Sequence, residues 1–116
     1  MEDRGSLPLL QQLIQTCADV TDFIADMSRD EFMADLKTQR AIMMTFVIIA
    51  EIADRMRLEE PQLLERLPDA PWADIRGMRN RLVHGYIAIN LSTVWATASA
   101  SIPELQRMLE HPHSGS

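Results

Sequence analysis

At 116 residues with 47% apolar content, the chain has material for one core and no room for a second. A single cysteine, Cys17, excludes an internal disulfide and a cysteine zinc cluster, and only four glycines and six prolines argue against an all-β fold. A net charge of −6 excludes an indiscriminate nucleic-acid binder, because phosphate neutralisation needs a basic surface. Any work on RNA must therefore rest on a local arginine patch.

Residues 1–6 read as a polar lead-in. Met1-Glu2-Asp3-Arg4 leads into no uninterrupted apolar segment, so no signal peptide is expected. From about Leu7 to Met27 the apolar positions Leu9, Leu10, Leu13, Ile14, Cys17, Val20, Phe23, Ile24 and Met27 keep helical spacing and predict an amphipathic helix with Cys17 buried. Ser28 with Glu31 three residues on forms a capping box, and opens a second helix predicted from about Arg29 to Leu58. Its first turns place Phe32, Met33 and Leu36 inside, with Asp35 and Lys37 outside. The run from Ala41 to Ala50 is then apolar all the way round, which a surface helix is not. It is too short to span a bilayer. It is expected to be covered by its own domain on one side and by a second copy on the other, with Thr45 or Val47 facing that copy. Glu51 follows it directly.

Pro61 suits the first turn of a short helix, Pro61 to Arg66. Residues 67–71 are a linker, and Pro71-Trp72 opens the next helix. Asn90 is placed as the N-cap of a last helix, about Leu91 to Glu110, which Pro103 should kink or interrupt. Residues 1–110 are expected to form the domain and 111–116 a disordered tail. His111 and His113 share a metal-like spacing, but beside Pro112 in a tail they are not read as ligands. A cytoplasmic protein away from membranes is expected.

The chemistry concentrates between Ile75 and Tyr86. Ile75, Met78 and Leu82 repeat at offsets of three and four. With about 100° per residue and Met78 at zero, Ile75 and Leu82 lie within about 60°, a buried stripe. Arg76, Arg79, Asn80, Val83 and His84 fall between roughly 100° and 240° on the same wheel, and Arg81 points elsewhere. Gly85 follows His84 as expected at a helix C-terminus. On spacing alone, arginines paired with acidic neighbours and an ordinary helix-end histidine are the simpler reading.

Arg79-Asn80, three residues, His84, one residue and Tyr86 resemble the signature of the HEPN superfamily, and the tyrosine narrows the resemblance to its HepT-like branch. Lys37-Thr38-Gln39, Ile48-Ile49-Ala50-Glu51, Pro71-Trp72 before the motif, and Asn90-Leu91-Ser92-Thr93-Val94-Trp95 after it are similar to that branch as well. These landmarks cover roughly Leu9 to Leu109. Together with the helical periodicities, the resemblance implies an all-α antiparallel bundle of four main helices with a short extra one, working as a homodimer.

It also implies a metal-independent endoribonuclease: the toxin of a HEPN and minimal-nucleotidyltransferase pair, a type VII toxin–antitoxin system. The residue types suit that chemistry. Cutting RNA without a metal needs a base for the 2′-hydroxyl proton, an acid for the leaving oxygen and positive charge beside the phosphate. Histidine transfers protons near neutrality, and an arginine fork matches phosphate oxygens. His84 is thus assigned as acid/base, Arg79 as phosphate stabiliser, Asn80 as orienter, Arg76 and Arg81 as RNA contacts, and Glu51 as an organiser paired with a motif arginine. Tyr86 is the residue to which the partner nucleotidyltransferase would attach AMP. One chain supplies one histidine, so a cleft across a two-fold axis would provide both acid and base. No cofactor and no metal are expected. In the rival reading the chain is a non-catalytic subunit that docks on a nucleotidyltransferase and helps form its nucleotide site. Trp72 and Trp95 are read as core or interface residues.

Overall fold

The computed structural model describes residues 4–112. Every regular element among them is helical. A short 3-10 turn (Arg4–Ser6) leads to α1 (Leu9–Phe23), α2 (Arg29–Met33), α3 (Leu36–Glu59), α4 (Pro61–Glu65), α5 (Trp72–His84), a second 3-10 turn (Tyr86–Ala88), α6 (Leu91–Ala96), a π-helical turn (Thr97–Ser101) and α7 (Ile102–Glu110). Residue His113 and the rest of the expected tail after Pro112 lie outside the described residues.

Local chemistry explains most boundaries. Ser28 Oγ accepts from the Glu31 N–H at 3.1 Å while Glu31 Oε1 accepts from the Ser28 N–H at 2.9 Å, the capping box expected from the sequence. Pro61 occupies the first turn of α4, and Asn90 Oδ1 accepts from the Ser92 and Thr93 N–H groups at the head of α6. The last helix keeps its predicted span from Leu91 to Glu110 and is interrupted where Pro103 requires. Proline offers no N–H to the carbonyl four residues earlier. The preceding turn takes π spacing instead, with the Ile102 N–H donating to Thr97 O, five residues back.

Two expectations are corrected. The helix predicted from Arg29 to Leu58 is two helices, broken at Ala34 and Asp35. Asp35 caps the second one, accepting from the Thr38 N–H at 3.0 Å and the Thr38 hydroxyl at 2.9 Å. Gln39, itself buried, donates from Nε2 to the carbonyls of Phe32 and Met33 at 3.0 and 3.1 Å. It thereby satisfies the open end of α2 across the break. With the axis redirected there, Leu36 points outward and is exposed rather than inside. The first helix also ends at Phe23, four residues short of Met27.

The bundle is assembled around α3, which packs against α1 on one side and α5 on another, while α7 packs on α1. The core holds Leu13, Cys17 and Val20 from α1; Phe32; Ile42, Phe46, Ile49 and Met56 from α3; and Ile102, Leu105 and Leu109 from α7. Phe32 meets Trp95 with ring centroids 5.4 Å apart, so Trp95 is a core contact. Cys17 is fully buried, and burial, with Asp19 and Glu110 adding to it, pushes its thiol up to about 12. Of the apolar run in α3, Ile42, Met43, Phe46, Ile49 and Ala50 are buried, whereas Met44 and Ile48 are exposed. Thr45 faces inward and bonds to Ala41 O at 2.7 Å, so it cannot be a partner-facing position; Val47 is half-buried.

The backbone and hydroxyl donors of Thr38 hold the Asp35 carboxyl below the usual carboxylate range. A carboxyl depressed on folding stabilises above its unfolded value, about 3.9, and that stabilisation is lost as pH falls through the lower folded value. Asp35→Ala should lower the melting temperature at neutral pH and flatten its further fall as the pH drops below the unfolded value of about 3.9. An acid limb as steep as that of the wild type, followed by circular dichroism, would show that the cap is not the titrating contact.

Candidate active site

Helix α5 is placed by three apolar contacts and a pinned start. Ile75 and Leu82 are buried and Met78 half-buried toward α3, the stripe that the wheel predicts. At the N-terminal end the Trp72 Nε1–H donates to Leu67 O at 3.0 Å, which ties the helix to the 67–71 linker. At the other end the Gly85 N–H donates to Arg81 O at 2.8 Å. Gly85 has φ of −139°, so it does not use the left-handed conformation common at helix ends. It matters here for space, since a Cβ at Gly85 would lie 3.2 Å from Arg81 O.

Glu51 on α3 meets Arg79 on α5 at 3.5 Å, both partly exposed. That contact sets the register of two antiparallel helices. In that register the α3 residues before Glu51, Ile48 and Met44 among them, run toward the C-terminal end of α5. Met44 and Ile48 on α3, Val83 near the end of α5, and Tyr86 and Ile87 just after it are all exposed, Ile87 fully so at 99%. In the opposite direction the two helices and α4 enclose a groove of about 380 Å³. Its walls include Glu51, Asp54, Arg55 and Arg57 from α3, and Trp72, Arg76, Arg79 and Asn80 from α5.

Four candidate residues, Glu51, Arg76, Arg79 and Asn80, thus share the groove. His84 lies exposed one turn beyond Asn80, past the groove, at the last residue of α5. Tyr86 opens the following 3-10 turn and is 44% exposed. Arg81 stands apart: it lines a second cleft of about 470 Å³ between α5 and the last helix, with Met78, Leu82, Ile89, Val94 and Ile102. Among the described residues no side-chain partner holds Arg76, Asn80, His84 or Tyr86. Nor is any group of three or more His, Cys, Asp or Glu placed to hold a metal ion, or any helix long and apolar enough to cross a membrane.

The outer side of α5 carries a guanidinium, an amide and an imidazole within about a turn and a half, from Arg79 to His84. Arg79 is drawn to Glu51 only by a long, solvated contact, so a phosphate can displace that carboxylate. The groove itself was not legible in the sequence, because it depends on which residues of α3 face α5.

The sequence model of the HepT-like ribonucleases matches residues 13–112. The chain belongs to the HepT-like ribonuclease family. Among its relatives, a candidate RNase of Caldanaerobacter subterraneus is 29% identical over 103 residues, covering 89% of each chain. The probable ribonuclease HepT of Thermococcus cleftensis is 28% identical over 108 residues, covering 92% of this chain and 94% of its own. A candidate RNase of Methanocaldococcus jannaschii is 29% identical over 94 residues, covering 81% of this chain and 75% of its own. No solved structure matches. The all-helical bundle described above is the fold that the HepT-like resemblance implied.

A solvated ion pair at 3.5 Å contributes little to stability. Glu51→Gln should therefore change the unfolding free energy by less than about 0.5 kcal/mol. A urea titration giving a larger loss would mean that Glu51 holds the fold rather than orienting Arg79.

Proposed function

We propose that this HepT-like chain is the toxin of a toxin–antitoxin pair, an endoribonuclease that cleaves without a metal ion and is silenced by AMP attached to Tyr86. The observation that carries the reading is the set of Arg79, partly exposed, and Asn80 and His84, exposed, on α5, unpartnered but for one long contact, in a chain of a ribonuclease family. In the proposed reaction His84 takes the 2′-hydroxyl proton of the substrate. The freed oxygen attacks the adjacent phosphorus and the bond from phosphorus to the 5′-oxygen breaks. A second histidine returns a proton to that leaving oxygen. Arg79 stabilises the crowded phosphate, and Asn80 orients the phosphate or the imidazole.

The second histidine would come from a second copy. The side chains of Met44, Ile48, Val83 and Ile87 are apolar and exposed, as a two-fold contact beside a shared cleft would require. In that dimer Tyr86 stands at the mouth of the cleft. Attack of its hydroxyl oxygen on the α-phosphate of ATP, catalysed by a nucleotidyltransferase, would form a phosphodiester and release pyrophosphate. The added anion would then repel an incoming phosphate.

Purified protein incubated with a tRNA pool in EDTA should cleave RNA. Arg79→Ala and His84→Ala should each lower the rate at least a hundredfold with the helical circular dichroism retained. Arg81→Ala, in the other cleft, should stay within a few-fold of the wild type. Ile48→Arg should give monomers by light scattering and lose activity with them; an active monomer would remove the composite site. No cleavage under any condition would favour the non-catalytic subunit.

Tyr86→Phe keeps the ring and removes the acceptor oxygen. It should stay folded and toxic, and resist silencing by the cognate nucleotidyltransferase with ATP and Mg²⁺. The wild-type peptide containing Tyr86 should gain the mass of AMP. Silencing of Tyr86→Phe without added mass would show control by binding alone.

A further inference from the structure

Trp72, Arg76, Asn80 and His84 follow one another at intervals of four, so they lie along one side of α5 with about 6 Å of rise between neighbours. The first three line the groove between α3 and α5, and the fourth stands just beyond it. Four arginines and two carboxylates line that groove, an excess of positive charge in a chain of net charge −6. Three of the arginines are engaged: Arg57 with Asp54 at 2.8 Å, Arg55 with Glu59 at 3.0 Å and Arg79 with Glu51 at 3.5 Å. Arg76 has no such partner among the described residues, so it can take an anion without breaking an ion pair.

The rest of the groove suits a flat ring. Ala50 and Ala53 line it with little bulk. The Trp72 indole, half-buried, is fixed by its bond to Leu67 O, which makes it a rigid surface on which a base can stack. A volume of about 380 Å³ is at the small end for ligand sites: it accommodates one nucleotide and not a helix.

We propose that this groove is a subsite for one unpaired nucleotide of the RNA strand, flanking the bond to be cut. Its base stacks on Trp72, its outer phosphate pairs with Arg76, and the next phosphate lies at Arg79 and Asn80. Bases in an A-form duplex are held in the stack and cannot enter, so the enzyme selects single-stranded or looped RNA. The inference rests on the ribonuclease reading above.

The test uses the full chain and a fluorescein-labelled, 2′-O-methylated octanucleotide, which binds but offers no 2′-hydroxyl for cleavage. Anisotropy should show the single strand binding at least tenfold tighter than a hairpin duplex of the same composition. Arg76→Ala should weaken binding about tenfold and reduce the slope of log K against log salt by about 0.7, the loss of one phosphate contact on a single strand. The strand should also quench wild-type tryptophan emission, and Trp72→Phe, which keeps a ring but loses the bond to Leu67 O, should remove that quenching and weaken binding less than Trp72→Ala does. Trp72→Ala, if it folds, should weaken binding like Arg76→Ala; if it does not fold, the quenching pair reports the stacking. Equal binding of the duplex, an unchanged salt slope in Arg76→Ala, or quenching that persists in Trp72→Phe would overturn the subsite. Displacement of the octamer by micromolar AMP would also overturn it, by making the groove a mononucleotide site. If wild-type protein cleaves RNA but Arg76→Ala leaves KM unchanged, the subsite falls and the ribonuclease reading stands. If no RNA is cut but the octamer binds as described, the ribonuclease reading falls and the subsite stands.

Discussion

Helix α3 carries a continuous apolar surface that no single neighbour can cover. Ile42, Phe46, Ile49 and Met56 go into the core, against α1 and α5. Burying such side chains stabilises by about 1.5–3 kcal/mol each, and this dominates any ion pair on the surface. The position of α5, and so of every candidate catalytic group, follows from that packing. What α1 and α5 leave uncovered includes Met44 and Ile48, which are exposed. The same helix thus supplies the core, one wall of the groove and exposed apolar side chains.

The division of charge along α5 has a physical origin too. Arg79 and Arg81 are two positions apart and so point to different sides of a helix, one into the groove and the other into the second cleft. Glu51 meets Arg79 at the groove across 3.5 Å, without a short bond. Such a long contact lets a guanidinium be positioned before ligand arrives and still exchange partners when it does. The groups left unpaired, Arg76, Asn80 and His84, follow one another at intervals of four along one side of α5.

The legible parts of this fold were the local ones. Ser28 with Glu31, Pro61 and Asn90 announce helix starts within three residues, and the stripe of Ile75, Met78 and Leu82 depends only on helical periodicity. The break at Ala34 and Asp35 was missed because helix-compatible residues stand on both sides of it. The available signal was Asp35 itself, an N-cap residue three positions before Thr38. The role of Gln39 was out of reach, since it bridges two helices whose angle is a tertiary property. The wheel grouped Arg76, Arg79, Asn80 and His84 and set Arg81 apart. It could not show that a wall from α3 encloses the first three and stops short of the histidine.

The lone thiol of Cys17 has a use for the experimenter. It sits with no exposure in the middle of α1, and burial pushes its thiol well above the ordinary value, so an alkylating reagent at neutral pH meets neither an accessible atom nor a thiolate. Modification requires α1 to part from α3 and α7. The rate of alkylation under native conditions therefore times the spontaneous opening of this bundle. The native chain carries its own clock for that opening, readable by mass and without an added label.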